Sequence, residues 1–454
     1  PDGTYSGVIQ TLPDRGPNNV AGLATTNYAA RLETFAVTLN GASLTLKPSG
    51  GTLLKDSTGS AFTGRDPGKG SLTRDGMLYP SPPHGDAGAD RISIDPEAVS
   101  FLADGSFYVG DEYGPMIYHF GADGRQQGAI MPTPAIAPKI SAQPGFGSND
   151  NPVQPGSTGR RSNQGLEGVS VSPDGRRLFA VLQSATLQDN PANADVQRNT
   201  TRVLVYDITR TKTPSQPVGE YVLQLPTYRA NGDGGPADRT AAQSEILALN
   251  ERQFLMLSRD GAGRGSGSSR PPVFKSVMLV DLVGASNLAG TPYEFDTDSV
   301  VGGANASGAT LKPNIIPVQI EELVNLLHPA ELAKFGIDLK TAPSDARSLS
   351  EKWESMAVAP AMDPANPDDF FLFIGNDNDF RSSRLEVAGV KGVSTALTDP
   401  ASGTGDVDNM VLVYRVSLPT WETEPPKPPA AVKKAPSKKS KKKAAPSKRR
   451  RGRH

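Results

Sequence analysis

Four glutamates, Glu97, Glu167, Glu245 and Glu354, each open a short apolar strand. After a turn, three of these strands return to end in charged or amide residues: Asp111-Glu112, Arg259-Asp260 and Asn376-Asp377-Asn378-Asp379. Carboxylate and amide oxygens are hard donors, and a calcium ion takes about six to eight of them. The expected metal ligands are therefore Glu97, Glu167, Glu245, Glu354, Asn163, Asp377 and Asp379. Glu112 and Asp111 are the candidate catalytic residues, as general bases beside that ion. Lys352 shares a strand face with Glu354 by the two-residue period, and Arg259 ends its strand at the same rim. Both are candidates to hold a phosphate or carboxylate of a substrate, with neutralisation of the glutamates as the equal alternative. Zinc or copper fits poorly, since there is no cysteine and the four histidines (His84, His119, His328, His454) include no pair at ligand spacing. His119 reads as an ordinary packed or surface side chain. Gly265-Ser-Gly-Ser-Ser lies in a glycine-rich loop, so no serine has a nucleophile-elbow setting.

The elements that must position these groups are β-hairpins. Large apolar residues alternate with small ones, as in Val99 and Phe101 against Ala98 and Ser100, which is the period of a strand. Turns fall at Asp104-Gly105, Asp174-Gly175 and Asn250-Glu251-Arg252. In an antiparallel hairpin the start of one strand lies beside the end of the next, so Glu97 should neighbour Asp111 and Glu112, and Glu354 the Asn376 to Asp379 cluster. Further strands are expected at 116–120, 202–207, 275–282 and 410–416, and a pair over 35–55 turning at Asn40-Gly41. A repeated hairpin is the mark of a radial architecture. The expected fold is all-β, a single propeller of six or seven blades over residues 1–421, with the polar strand ends sharing one channel mouth. The glutamates are 70, 78 and 109 residues apart, more than a blade of about 40 to 45 residues requires. Long loops or degenerate blades must fill the difference. Apolar positions at Ile320, Leu323, Leu326 and Leu327 read as a short helical insertion between Pro317 and Leu339.

The formal charge of −1 conceals an asymmetry. Thirteen Lys and Arg follow Glu424 with no acid among them, leaving 34 basic against 48 acidic residues in the body. An acidic body favours cations. The tail, residues 422–454, reads as disordered, and its charge suits a polyanionic surface or nucleic acid in a salt-dependent way. No apolar run approaches the roughly 18 residues of a membrane span, so no transmembrane segment is expected. The chain starts at Pro1, which reads as a processed or truncated product, and a secreted or periplasmic monomer is expected. Asn199-Thr-Thr and Asn305-Ala-Ser are formal glycosylation acceptors.

Asp95-Pro-Glu-Ala-Val-Ser with Gly110-Asp-Glu-Tyr-Gly-Pro115, Asn163-Gln-Gly-Leu-Glu-Gly-Val-Ser-Val-Ser-Pro-Asp-Gly175, Ser244-Glu-Ile-Leu-Ala-Leu, and Lys352-Trp-Glu-Ser-Met-Ala with Asn376-Asp-Asn-Asp-Phe380 together resemble the phytase-like domain family, also labelled "esterase-like activity of phytase". The resemblance spans roughly residues 30 to 418. It implies a β-propeller of an exported protein and ester or phosphoester hydrolysis with calcium, acting on a small-molecule substrate. Ser258-Arg259 departs from the family's expected Glu-Arg, with Asp260 close enough to substitute. Two other readings share the site: a non-catalytic binding propeller with a structural calcium and a polyanion-binding tail, and a lactonase-type propeller enzyme.

Overall fold

The computed structural model describes residues 3–20, 22–41, 43–148, 156–266, 270–295, 298–339, 347–381, 385–387, 390–392 and 407–418. The basic tail lies outside them. Among the described residues, five antiparallel sheets of three or four strands form the blades of a β-propeller. Blade 1 comprises Thr4–Thr11, Arg31–Asn40 and Ser43–Leu53. Blade 2 comprises Pro96–Phe101, Phe107–Asp111, Ile117–Phe120 and Gln126–Ile130, and blade 3 Leu166–Val171, Arg177–Leu182, Thr200–Asp207 and Gly219–Gln224. Blade 4 is built from Ala242–Ala248, Gln253–Arg259, Lys275–Asp281 and Gln319–Asn325, and blade 5 from Lys352–Pro360, Asp369–Asp377 and Val411–Ser417.

Five blades replace the expected six or seven. The surplus between repeats goes instead into loops that carry two-stranded ribbons, such as Ser71–Arg74 with Met77–Pro80 and Val301–Asn305 with Gly308–Leu311. The expected helical insertion is also largely a strand. Gln319–Asn325 pairs as the outer edge of blade 4, and helix is confined to the single turn Pro329–Ala333.

Period-two alternation buries both faces of a blade against different neighbours. Phe107 and Val109 pack toward Leu32, Leu54 and Phe62 of the blade 1 layer, while Tyr108 between them faces Leu178 and Ala180 of blade 3. Phe179 and Val181 then face Phe254 and Met256, whose neighbours Leu255 and Leu257 face Trp353, Leu372 and Ile374. The ring closes between blades 5 and 1, where the Tyr5 ring stands edge-on to Phe371 at 4.9 Å and the Tyr5 hydroxyl donates to the Ala361 carbonyl at 3.2 Å. Burying such side chains contributes about 1.5–3 kcal/mol each, which makes these inter-blade layers the main source of stability.

The inner strands touch in succession around the channel. The Val171 amide donates to Ser100 Oγ, and the Ala248 amide to Ser170 Oγ, both at 2.9 Å. The two sequons part company in this frame. Asn199 is buried and its side-chain oxygen accepts from the Ala309 amide at 2.9 Å, whereas Asn305 is exposed on a ribbon. His119 is buried between the Tyr108 ring, 4.9 Å away centre to centre, and Ser106 Oγ at 3.3 Å.

Candidate functional site at the channel mouth

The inner strands of blades 2 to 5 each carry a one-residue bulge at their start. The cross-strand register skips Glu97 in blade 2, Glu167 in blade 3 and Glu354 in blade 5. A bulged residue faces no partner, and the local kink re-aims its side chain. In blade 4 the skipped residue is Ser244, and Glu245 is already back in register opposite Leu257. The Ser100 and Ser170 contacts confirm this alignment, since they pair residues one position apart in the repeat each time. Glu245 is therefore not the fourth copy. One residue of offset turns it to the other face of its strand. There it is buried, which pushes its carboxyl well above the usual range, and it accepts from its neighbour Ile246 N–H at 2.8 Å.

The three bulge glutamates converge with groups from other segments. Burial and the Glu167, Asp14, Asp95 and Glu112 carboxylates push the half-buried Glu97 carboxyl well above its ordinary range. Glu167 is raised in the same way, by burial first and then by Glu112 and Glu354. Its Oε1 accepts from Gln183, and its buried Oε2 has no partner. Glu354 behaves oppositely: burial pushes it up, but Lys352 and Arg259 outweigh that and hold it below the usual value. Arg259 pairs directly with Glu354 Oε1. The Lys352 ammonium lies 3.3 Å from Glu354 Oε2, 2.7 Å from Asp377 Oδ2 and 2.9 Å from Asp379 Oδ1.

Asp14, Arg15 and the charge of Asp95 were not read as site residues. They reach the mouth on the loop after the first strand of blade 1 and on the residue before Pro96. Carboxylate oxygens of Asp14, Asp95 and Glu97 lie within 4.8 Å of one another, and so do those of Asp14, Asp377 and Asp379. Arg15 pairs with Asp95 Oδ2 and donates to Asn163 Oδ1 at 2.8 Å, leaving Asp95 Oδ1 buried without a partner. Burial raises Asp95 to about 6 against the pull of Arg15. The loop is pinned by close approach, since a Cβ on Gly64 would stand 1.7 Å from the Arg15 carbonyl oxygen. The only local signal for it was a turn-rich Pro13-Asp-Arg-Gly-Pro17 outside the repeat.

Asp111 and Glu112 end the second strand of blade 2, as their hairpin requires. Asp111 is fully engaged: Oδ1 accepts from Asp95 N–H at 3.0 Å and Tyr113 N–H at 3.1 Å, and Oδ2 from Gly114 N–H at 2.8 Å. It holds the segment on which Glu112 stands. Glu112 is buried, which raises its carboxyl despite Arg15 and Arg160, and it accepts from Gly165 N–H at 3.3 Å. Exposed Asn163 sits at the edge of the cluster. The mouth thus gathers eight carboxylates (Asp14, Asp95, Glu97, Glu112, Glu167, Glu354, Asp377, Asp379) against four cations that pair with them, Arg15, Arg259, Lys352 and Arg381.

The phytase-like family, described as esterase-like activity of phytase, matches residues 6–380. The chain belongs to that family. A relative from Arthroderma benhamiae, described as an uncharacterized secreted protein, is 32% identical over 423 residues, covering 84% of this chain and 79% of its own. Among solved structures, Kluyvelomyces marxianus Hsv2 overlaps 66% of this chain and 84% of its own, at 10% identity and a TM-score of 0.25. The β-propeller domain of Myceliophteria thermophila Cps50 overlaps 62% and 65%, at 10% identity and a TM-score of 0.24. Overlaps this loose carry no weight for function. Among the described residues no helix is long and apolar enough to cross a membrane.

Proposed function

We propose that this phytase-like propeller is a calcium-dependent hydrolase of an ester or phosphoester, acting at the acidic mouth of its channel. The observation that carries the reading is the charge imbalance there, eight carboxylates against four cations, with Asp95 Oδ1 and Glu167 Oε2 buried and unpartnered. Orphaned carboxylate oxygens without nitrogen or sulfur donors fit a hard cation. Asp14, Asp95 and Glu97 would hold it, with Glu167 beside them, Asn163 at the margin and Glu245 outside the set, while Glu354, Asp377 and Asp379 are already paired with Arg259 and Lys352. When bound, such an ion polarises an ester oxygen and acidifies water.

The remaining roles fall to the chain itself. Glu112, raised by burial, accepts a proton from the attacking water, and Asp111 fixes its backbone through three N–H contacts. Arg259 keeps a buried Nε without a partner and is placed to orient an anionic substrate group, while Lys352, its N–H donors held by Glu354, Asp377 and Asp379, adds a fixed positive charge at the same rim. The secreted relative supports export of this chain. The test uses purified full-length protein with aryl ester and aryl phosphate substrates. Turnover should disappear on chelation, return with calcium and fall at least about a hundredfold in Glu112→Gln. Turnover indifferent to exhaustive chelation would defeat the proposal.

A further inference from the structure

The mouth contains two carboxylate trios that share one member, Asp14. The arrangement resembles two adjacent cation positions bridged by a common ligand, but the two are not in the same state. In the trio of Asp14, Asp377 and Asp379, the Lys352 ammonium already stands between carboxylates, 2.7 Å from Asp377 and 2.9 Å from Asp379, with Glu354 at 3.3 Å. An ammonium has three N–H donors, and these three oxygens take all of them. In the trio of Asp14, Asp95 and Glu97 the nearest cation, Arg15, is committed to Asp95 Oδ2 and Asn163. Asp95 is fully buried, and its Oδ1 has no partner. A buried carboxylate oxygen left without a donor is costly, and a bound cation removes that cost.

We infer that the mouth takes a single divalent cation, held by Asp14, Asp95 and Glu97, and that the Lys352 side chain fills the neighbouring position as a built-in monovalent substitute for a second ion. The inference rests on the cation-binding part of the proposed function and is independent of whether turnover occurs. It makes Lys352 the residue that sets the number of ions. A fixed ammonium beside one exchangeable ion also gives the mouth a lower total charge than a two-ion site would have, which favours a substrate group of single negative charge over a dianion.

The test is calcium titration by isothermal calorimetry on the full-length protein, with bound metal counted after gel filtration. Wild type should bind one ion, and Asp95→Asn should weaken it at least tenfold. Lys352→Met should bind two ions, and adding Asp379→Asn to it should return the count to one. Because Lys352→Met also leaves buried carboxylates bare and can unfold, Asp377→Asn in the wild-type background serves as a second probe, and calcium affinity should stay within about threefold. Two ions in wild type, one ion in a folded Lys352→Met, or equal losses from Asp377→Asn and Asp95→Asn would each overturn the inference. One ion with no ester or phosphoester turnover would sustain it while removing the hydrolase reading. No calcium uptake would remove both.

Discussion

Glu97→Gln should stabilise the calcium-free protein and destroy its response to calcium. Glu97 shares a cluster whose carboxylate oxygens lie within 4.8 Å of one another, and no cation of the site pairs with it directly. At an effective permittivity of about 20, two ionised carboxylates at that separation repel by about 3–4 kcal/mol. The native protein escapes part of this by keeping a proton, since burial and the neighbouring carboxylates hold the Glu97 carboxyl well above its ordinary 4.5. Its folded value lies above the unfolded one, so its favourable contribution is complete below the unfolded value and is lost as pH rises through the folded one. The amide carries no such penalty. Glu97→Gln should therefore gain about 1–3 kcal/mol over wild type at pH 8 and almost nothing at pH 4.5, a melting difference of about 1–4 °C. Calcium should reverse the order: at a hundred times its dissociation constant it adds about 2.7 kcal/mol to wild type and little to the variant. Scanning calorimetry at the two pH values, with chelator and with calcium, reads all four states. A variant less stable than wild type in chelator at pH 8, or one that calcium stabilises as fully as wild type, would refute the reasoning.

Other perturbations test the supports of the site. A methyl on Gly165 would stand 2.3 Å from the Glu112 carbonyl oxygen, so Gly165→Ala should cost about 1–3 kcal/mol in a thermal melt and lower turnover by displacing Glu112. Arg202 is fully buried; its Nε and Nη2 both donate to Asp189 Oδ2, at 2.9 and 2.8 Å, and Nη1 donates to Glu220 at 2.7 Å. Arg202→Ala strands two buried carboxylates and should cost about 3–5 kcal/mol in urea unfolding. Burial, against the opposing pull of Asp104, holds the His119 imidazole below its usual value. That stability is present above about 6.5 and fades as pH falls through the folded value, so wild type should lose melting temperature toward pH 5 and His119→Gln should lose less.

The strands of blades 2 to 4 were legible because these blades bury both faces between neighbours, and that imposes alternation on each copy. Glu97, Glu167 and Glu354 were legible for a local reason, the pairing of each with the end of its own hairpin. Glu245 was misassigned because a bulge is decided by cross-strand geometry, and nothing in Gln243-Ser-Glu-Ile tells which residue will be skipped. Asp14 and Arg15 escaped notice because ring closure, a long-range event, delivers them. Ile320 and Leu323 have spacings that suit a helix as well as a strand, and pairing of residues 319–325 with Lys275–Asp281 settles the matter in favour of sheet.

The bridging of Asp14 to Asp377 and Asp379 has a consequence for how the chain is made. Residues 365 positions apart in sequence, Asp14 and Asp379, complete one cage. A ribosome adding about 5–20 residues per second needs some tens of seconds to separate their synthesis. Blades 2 to 4 can form and stack during that interval, while the half-built mouth still lacks Asp377 and Asp379. The cage thus cannot be finished before blade 5 is under way, and its integrity reports that the first and last blades have met.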